Sequence, residues 1–449
     1  MDLLSLIPAF GGFLWTIVAF VVALSVIVAI HEYGHYIVGR WSGIHADVFS
    51  VGFGPVLWSR HDKRGTQWQI AALPFGGYVK FAGDANAASG KDEDAMQAAS
   101  DDPEALRRTM HGAPLWARAA TVAAGPVFNF ILSILVFSII GYSTGIVRDP
   151  LTVGDLRPLP NEVNELRSGD IVLEIQGQPL PNRDDPSFSD FLSDLPINAL
   201  LDYTVDRDGS RTVVQGPYFQ PPLIQSLSPQ SAAMSADLEQ GDVIIGIDGT
   251  AIVSFLELKE AVESSDGRAL NLDVWRDGDV LEKTLTPRRT DEPTADGSFQ
   301  TVWRIGIGGG NAFDLAREAP GFVQALTGGM AQTWRIIDGS VTGLSSMITG
   351  KISTCNLSGP IGIAQTAGQM ASQGTTSFIW LIAVLSTAVG FLNLFPIPAL
   401  DGGHLVFYAY EAVTGRPPSD GALRFLMTLG LVLVLALMIF ATGTDLFCP

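Results

Sequence analysis

Four stretches of the chain are apolar for long enough to cross a bilayer, and the polar sequence is distributed around them. From Ala9 to Ile30 no charge interrupts about 22 positions, which at about 1.5 Å of helical rise each cover roughly 30 Å of hydrocarbon. Comparable runs occupy Ala119 to Ile140, Ser377 to Leu400 and Phe425 to Ala441. Together they predict membrane spans over 9–38, 119–142, 377–403 and 424–442. No basic stretch precedes the first span and no small-x-small site closes it, so it reads as a span and not as a cleaved signal. The polar loop 39–118 contains a segment, 47–81, that alternates β-branched and aromatic residues between Gly-Pro and Gly-Gly punctuation. This predicts three or four short strands forming a small membrane-associated sheet with an open edge, which is able to accept an extended peptide as an added strand. Residues 82–103, rich in Ala, Ser, Asp and Gly, read as a mobile linker. In 312–374, Phe322, Leu326, Met330, Trp334 and Ile337 recur at helical spacing, as in an amphipathic segment lying on the membrane.

Between the second span and this segment the pattern changes to short alternating strands and tight turns, and a phrase repeats. Arg167-Ser-Gly-Asp-Ile-Val-Leu-Glu-Ile-Gln-Gly177 returns as Glu239-Gln-Gly-Asp-Val-Ile-Ile-Gly-Ile-Asp-Gly249, 72 positions later. Two copies of one small α+β domain are implied, over 151–218 and 222–290.

Composition agrees with a polytopic membrane protein carrying a soluble part: of 449 residues, 47% are hydrophobic and only 16% charged. The net charge of −19 is concentrated in the middle, where Ser143 to Ser377 holds 16 Lys/Arg against 31 Asp/Glu, a net of −15. Such acidity argues against nucleic-acid binding. Arg40, Arg60, Lys63, Arg64, Arg107, Arg108, Arg118 and Arg416 follow spans one and three, whereas Met1 to Phe10 and Thr442 to Pro449 carry no Lys or Arg. The positive-inside rule then places both termini and the acidic block outside. Cys355 and Cys448, with no His or Cys at ligand spacing, read as incidental.

The chemistry begins where the first span ends. His31-Glu32-Tyr33-Gly34-His35 is a HExxH sequence: four residues apart on a helix, two imidazoles share one face and can hold Zn²⁺, and Glu32 is placed to handle a water proton. A catalytic zinc takes three protein ligands and keeps one position open. Asp401 is the best third ligand, being the one ionisable residue from Ser377 to Gly403, with His404 as competitor. With spans one and three running the same way, His31 and Asp401 fall at similar depth near the inner face. Pro396 and Pro398 prevent regular helix just before Asp401, leaving carbonyls and the Asn393 amide free for an extended substrate backbone. Asn129, a lone amide in the second span beside Gly125-Pro126, serves either helix packing or the lining of the site.

These motifs, with Gly52-Phe-Gly-Pro55, Phe75-Gly-Gly-Tyr-Val-Lys80, Leu357-Ser-Gly-Pro-Ile-Gly-Ile-Ala364 and Asn393-x-x-Pro-x-Pro-x-Leu-Asp401-Gly, resemble the site-2 protease family of zinc intramembrane metalloproteases, peptidase family M50. The repeat resembles PDZ domains, which makes the chain similar to the bacterial regulator of sigma-E protease branch. In the first copy, Arg157-Pro-Leu-Pro-Asn-Glu stands where the second has Ser228-Pro-Gln-Ser, so the first peptide groove departs from the pattern. The resemblance implies zinc on His31, His35 and Asp401, Glu32 as general base, and substrate contact at Asn393. Substrate contact extends by the same reading to Pro396, Pro398, Asn129, Gly76 and Gly77. It further implies an inner-membrane enzyme, with its active site near the cytoplasmic face and its PDZ-like domains periplasmic. Its expected partners are the lipid bilayer, single-span membrane proteins such as trimmed anti-sigma factors or remnant signal peptides, and an extended peptide on the PDZ-like domains. The competing reading is a non-catalytic metal-holding scaffold or a metal transporter, but a transporter would carry ionisable residues in several spans, and spans two and four have essentially none.

Overall fold

A computed structural model describes residues 7–86, 90–160, 163–183, 185–294 and 299–448. They form two compact units, one built from the chain up to Ile140 and from Phe322 onward, the other from Gly141 to Gly321.

The first unit opens with helix α1 (Ile7–Trp41), followed by strands β1 (Ala46–His61) and β2 (Gln67–Phe81), short helices α2 (Glu93–Ala99) and α3 (Pro103–Arg107), and helix α4 (Leu115–Thr144). Both long strands fold back on themselves. Segment 46–51 pairs with 77–81 on one side and 67–70 on the other, and 67–71 also pairs with 56–61. The result is a sheet of four short segments in the order 77–81, 46–51, 67–71, 56–61, as the alternation predicts. Residues 82–103 do not form a plain linker, because α2 starts within them: Asp92 accepts from the Ala95 N–H to cap α2, and Asp102 accepts from Glu104 to cap α3. The acidic residues that suggest a linker by composition are helix caps.

The second unit contains β3 (Ile146–Val147), β4 (Val153–Leu156), β5 (Ile171–Ile175), β6 (Gln178–Pro179), α5 (Ser187–Ser193), β7 (Leu200–Arg207) and β8 (Ser210–Pro217). The second copy follows as β9 (Ile224–Leu227), α6 (Ala232–Ser235), β10 (Val243–Ile247), β11 (Thr250–Ala251), α7 (Phe255–Glu263), β12 (Leu270–Arg276) and β13 (Asp279–Leu285). A ribbon of β14 (Arg288–Pro293) and β15 (Phe299–Arg304) precedes β16 (Ile307–Gly309), β17 (Phe313–Leu315) and β18 (Arg317–Glu318). Each copy has the same four-stranded sheet, β6-β5-β7-β8 and β11-β10-β12-β13. They are nested and not merely in tandem: β16 closes the second copy against β9, and the chain then returns to the first, pairing β17 with β4. Asn161 and Glu162, part of the divergent stretch in the first copy, lie outside the described residues.

The repeated Gly-Asp has a physical cause. Gly169 (φ 96°) and Gly241 (φ 102°) take the left-handed turn before β5 and β10. Asp170 and Asp242, each 1% exposed, accept from the backbone N–H of Arg167 and Glu239, and each receives a guanidinium from the neighbouring strand of its sheet, Arg207 on β7 or Arg276 on β12. Around them, Val172, Ile175, Leu201 and Tyr203 form the first core, and Ile244, Leu258, Leu272 and Val274 the second.

The chain re-enters the first unit with α8 (Phe322–Ile348), α9 (Pro360–Ser372), α10 (Thr375–Asn393), α11 (Asp401–Thr414) and α12 (Asp420–Phe447). The predicted amphipathic segment 312–374 therefore divides into two strands and two helices, since Gly350 (φ 72°) ends its long run. Among the described residues four helices are long and apolar enough to span a membrane: Gly12–Trp41, Leu115–Thr144, Thr375–Asn393 and Gly421–Phe447. The third span is shorter than the 377–403 expected. It ends at Asn393, the prolines and Ala399 (φ 94°) interrupt the helix, and Asp401 starts α11 instead of closing a span. A carboxylate in the first turn suits the helix dipole.

Cys355 and Cys448 are bonded to each other, which corrects their reading as incidental. Their partnership across 93 residues is invisible in spacing and follows from Asp445, which accepts from the N–H groups of Gly359, Ile361 and Gly362 and so pins the start of α9 to the end of α12.

The Asp170–Arg207 pair yields a stability prediction. Burial pushes Asp170 up, but hydrogen bonds from Arg207 and the Arg167 N–H outweigh it and hold the carboxyl below its ordinary value. Arg207→Ala should destabilise the second unit by about 3 kcal/mol, since it strands a buried charge. With a folded pKa below the unfolded value of about 3.9, the pair's contribution is complete above that value and is lost progressively as the pH falls below it towards the folded pKa. Hydrogen exchange of β5 and β7 in the full-length protein, followed between pH 7 and pH 3, checks both statements.

Candidate active site

The end of α1, one face of α4 and the start of α11 meet at one point. A Cβ on Gly34 would lie 2.5 Å from the carbonyl oxygen of Ala124, so glycine is what lets α1 and α4 approach beside the HExxH turn. A Cβ on Gly125 would run into His35 and stand 2.8 Å from Nε2 of His31. On the far side, α10 is joined to α4 by Ser133 Oγ donating to the carbonyl of Ala383 (2.8 Å) and Ser386 Oγ to that of Asn129 (3.0 Å).

His31, His35 and Asp401 converge there, the one such metal-capable group among the described residues. Nε2 of His31 is 3.1 Å from Nε2 of His35 and 3.1 Å from Oδ2 of Asp401, and the third edge is 3.5 Å. Ligands about 2.0–2.1 Å from a tetrahedral zinc stand about 3.3–3.4 Å from one another. The triangle has that size. Asp401 Oδ2 is buried and accepts no hydrogen bond, a state that a cation between these atoms relieves. The donor set therefore fits zinc.

Each histidine is held from behind. Nδ1 of His35 lies 2.9 Å from the carbonyl oxygen of Thr121, an acceptor that fixes the proton on Nδ1 and leaves the Nε2 lone pair facing the cluster. Nδ1 of His31 lies 3.1 Å from the side-chain amide of Asn129, which is fully buried. The structure has Nδ2 facing the ring and leaves Oδ1 buried without a partner; exchanging the two, the orientation that a free lone pair on His31 Nε2 requires, lets the Asn129 carbonyl do for His31 what Thr121 does for His35. Asn129 thus sits buried against His31.

Glu32 lies beside the cluster, against the 77–81 segment. A Cβ on Gly77 would stand 3.1 Å from Glu32 Cγ and 2.9 Å from Val28 Cγ1, so this glycine lets the strand settle on the helix at Glu32. The backbone of Val79 hydrogen-bonds its carboxylate. Gly76 (φ 141°) faces the ring of Phe53 instead. Asn393 donates to the carbonyl of Val389 in its own helix at 3.0 Å, and Pro398 is packed against Gly430 of α12. Pro396 lies in the turn between α10 and α11. His404, the competing ligand, stays outside the cluster, and burial pushes its imidazole below the ordinary range. Sequence reasoning missed Thr121 and Gly125, although Thr121, Gly125 and Asn129 fall at i, i+4, i+8 on one face of α4.

Residues 19–437 match the peptidase family M50. A protein of Agrobacterium fabrum named as a zinc metalloprotease is 35% identical over 449 residues, covering 99% of both chains. A Rhizobium meliloti protein of the same description is 35% identical, covering 96% of each. The regulator of sigma-E protease of Salmonella typhimurium is 32% identical over 458 residues, covering 96% of this chain and 98% of its own. With that match across nearly its whole length, the chain belongs to peptidase family M50 and is a zinc metalloprotease.

Proposed function

We propose that the protein cleaves single-span membrane proteins within the bilayer, with His31, His35 and Asp401 as the zinc ligands and Glu32 as the general base. The observation that carries the reading is the meeting of these groups at the inner end of a span, 366 residues apart in sequence. When bound, zinc supplies Lewis acidity that makes water nucleophilic at neutral pH and polarises the scissile carbonyl. Glu32 takes the proton of the attacking water and returns it to the leaving amine nitrogen, so proton and electron pair stay balanced through hydrolysis. Thr121 and Asn129 keep the imidazole lone pairs directed inward.

A substrate helix shields its own peptide bonds and must open before attack. Segment 77–81 is an outer segment of its sheet, and among the described residues no strand pairs with its far edge. An extended substrate added there by backbone hydrogen bonds passes along Glu32. The exposed apolar side chains Val56, Leu57 and Trp58 on the opposite edge suit a sheet resting in the membrane interface.

Orientation follows from two independent features. The basic loop residues, Arg40 to Arg118 and Arg416, favour the cytoplasmic side. The Cys355–Cys448 bond closes the other end of α12, about 42 Å from its start at about 1.5 Å per residue, and a persisting disulfide belongs on the oxidising side. The nested copies, PDZ-like in pattern, then lie in the periplasm, where they act on substrates already trimmed by another protease, the role suggested by the likeness to the sigma-E regulator. Anti-sigma-type proteins and remnant signal peptides are the substrate class.

Three outcomes are expected. Glu32→Gln retains zinc and loses cleavage of a reconstituted single-span substrate by at least about 10³-fold, within the range of general-base loss; undiminished turnover refutes the assignment. Gly125→Val displaces both imidazoles and lowers zinc content of the purified protein, as read by metal analysis against protein concentration. In spheroplasts, Cys355 and Cys448 resist alkylation by a membrane-impermeant maleimide until reduced, and react from the outside afterwards.

A further inference from the structure

We infer that Arg118, through its ion pair with Glu411, is a positioning residue that holds Asp401 at the metal site; the inference rests on the reading of Asp401 as a zinc ligand. Asp401 reaches the histidines from the first position of α11, straight after a turn with two prolines and a left-handed Ala399. Its cap residue, Leu400, offers no side-chain hydrogen bond, and the two buried residues of α11 are glycines, Gly402 and Gly403. Gly402 and Gly403 seat the first turn on the backbone of Leu394, Phe395 and Ile397, so the direction of the helix beyond that turn is set by contacts further along α11.

Arg118 supplies the fixed point. Its Nη1 donates to Oε2 of Glu411 at 3.0 Å and its Nη2 to Oε1 at 2.6 Å, the paired geometry in which guanidinium and carboxylate define both distance and orientation. The guanidinium also lies 5.2 Å from the ring centre of Tyr408, one turn earlier on α11. Both charged side chains are mostly shielded, 14% and 16% exposed, so the pair tolerates little misalignment.

Two features separate this pair from an ordinary helix staple. Arg118 stands near the start of α4 and Glu411 in the last turn of α11, so each charge opposes the dipole of its own helix. Neither helix gains from its own member, and the benefit lies in joining the two. Moreover, Arg118, Thr121, Gly125 and Asn129 follow one another at spacings of three, four and four, a single face of α4. Thr121 orients His35, Gly125 gives both imidazoles room, Asn129 holds His31, and Arg118 completes the set by holding the helix that brings Asp401.

The test uses the full-length protein in detergent and measures zinc affinity by chelator competition, kcat and KM, and thermal stability of the zinc-free form. Arg118→Met and Glu411→Gln are each expected to weaken zinc about 10–100-fold, the usual effect of removing a group that orients a ligand, and to lower kcat with KM changed by less than about threefold. The double variant, which strands no charge, should fold and weaken zinc no more than either single change, because one interaction is lost in all three. Zinc affinity and kcat at the wild-type level in the double variant, with only thermal stability reduced, overturn the inference. Asp401→Asn separates the two layers: zinc lost there but kept in the double variant removes the clamp alone, and zinc kept in both removes the ligand assignment beneath it.

Discussion

The governing constraint of the proposed site is that His31 and His35 must meet Asp401, from a distant part of the chain, with their side-chain atoms 3.1–3.5 Å apart. Helix α4 answers it. The helix contributes no ligand, yet Thr121 and Asn129 back the two histidines, and Gly125 is small enough to leave them room. Close approach of backbones does the rest, since Gly34 meets the Ala124 carbonyl and Gly390 lies against Pro126 and Asn129. In lipid, where apolar contact between helices gains little over contact with acyl chains, small residues and interhelical hydrogen bonds such as those of Ser133 and Ser386 are what hold such a bundle.

The second unit obeys ordinary aqueous physics. Its two cores bury Leu, Ile, Val and Tyr, and its recurring Gly-Asp turn is stabilised by an arginine from the neighbouring strand in both copies. Nesting completes the first copy from afar, because β17, the partner of β4, follows the whole of the second copy in the chain. The contact is non-local, and closing it carries the loop-entropy cost of the whole insertion.

Much of this was legible in sequence where periodicity or chemistry is local. The four spans, the short strands of 47–81, the repeat and the HExxH face all come from spacing, and the depth argument paired Asp401 with His31 before any geometry. What escaped depends on contacts between distant residues. Asp401 opens a helix because the turn before it is tightened by Pro398 packing on Gly430, which no local pattern announces. Cys355 and Cys448 meet because Asp445 brings their segments together. Composition called 82–103 a linker, and the same aspartates proved to be caps. Asn129 is visible in sequence as a polar group in a span, but that it faces His31 emerges only from the packing of α4 on α1.

The central claim is the identity of the metal ligands, and X-ray absorption at the zinc edge of the purified full-length protein addresses it most directly. The account predicts one zinc per chain with a first shell of two imidazole nitrogens and oxygen, the oxygen contribution including Asp401, and loss of that zinc in Asp401→Asn. Sulfur in the first shell, or an unchanged spectrum in Asp401→Asn, would contradict it.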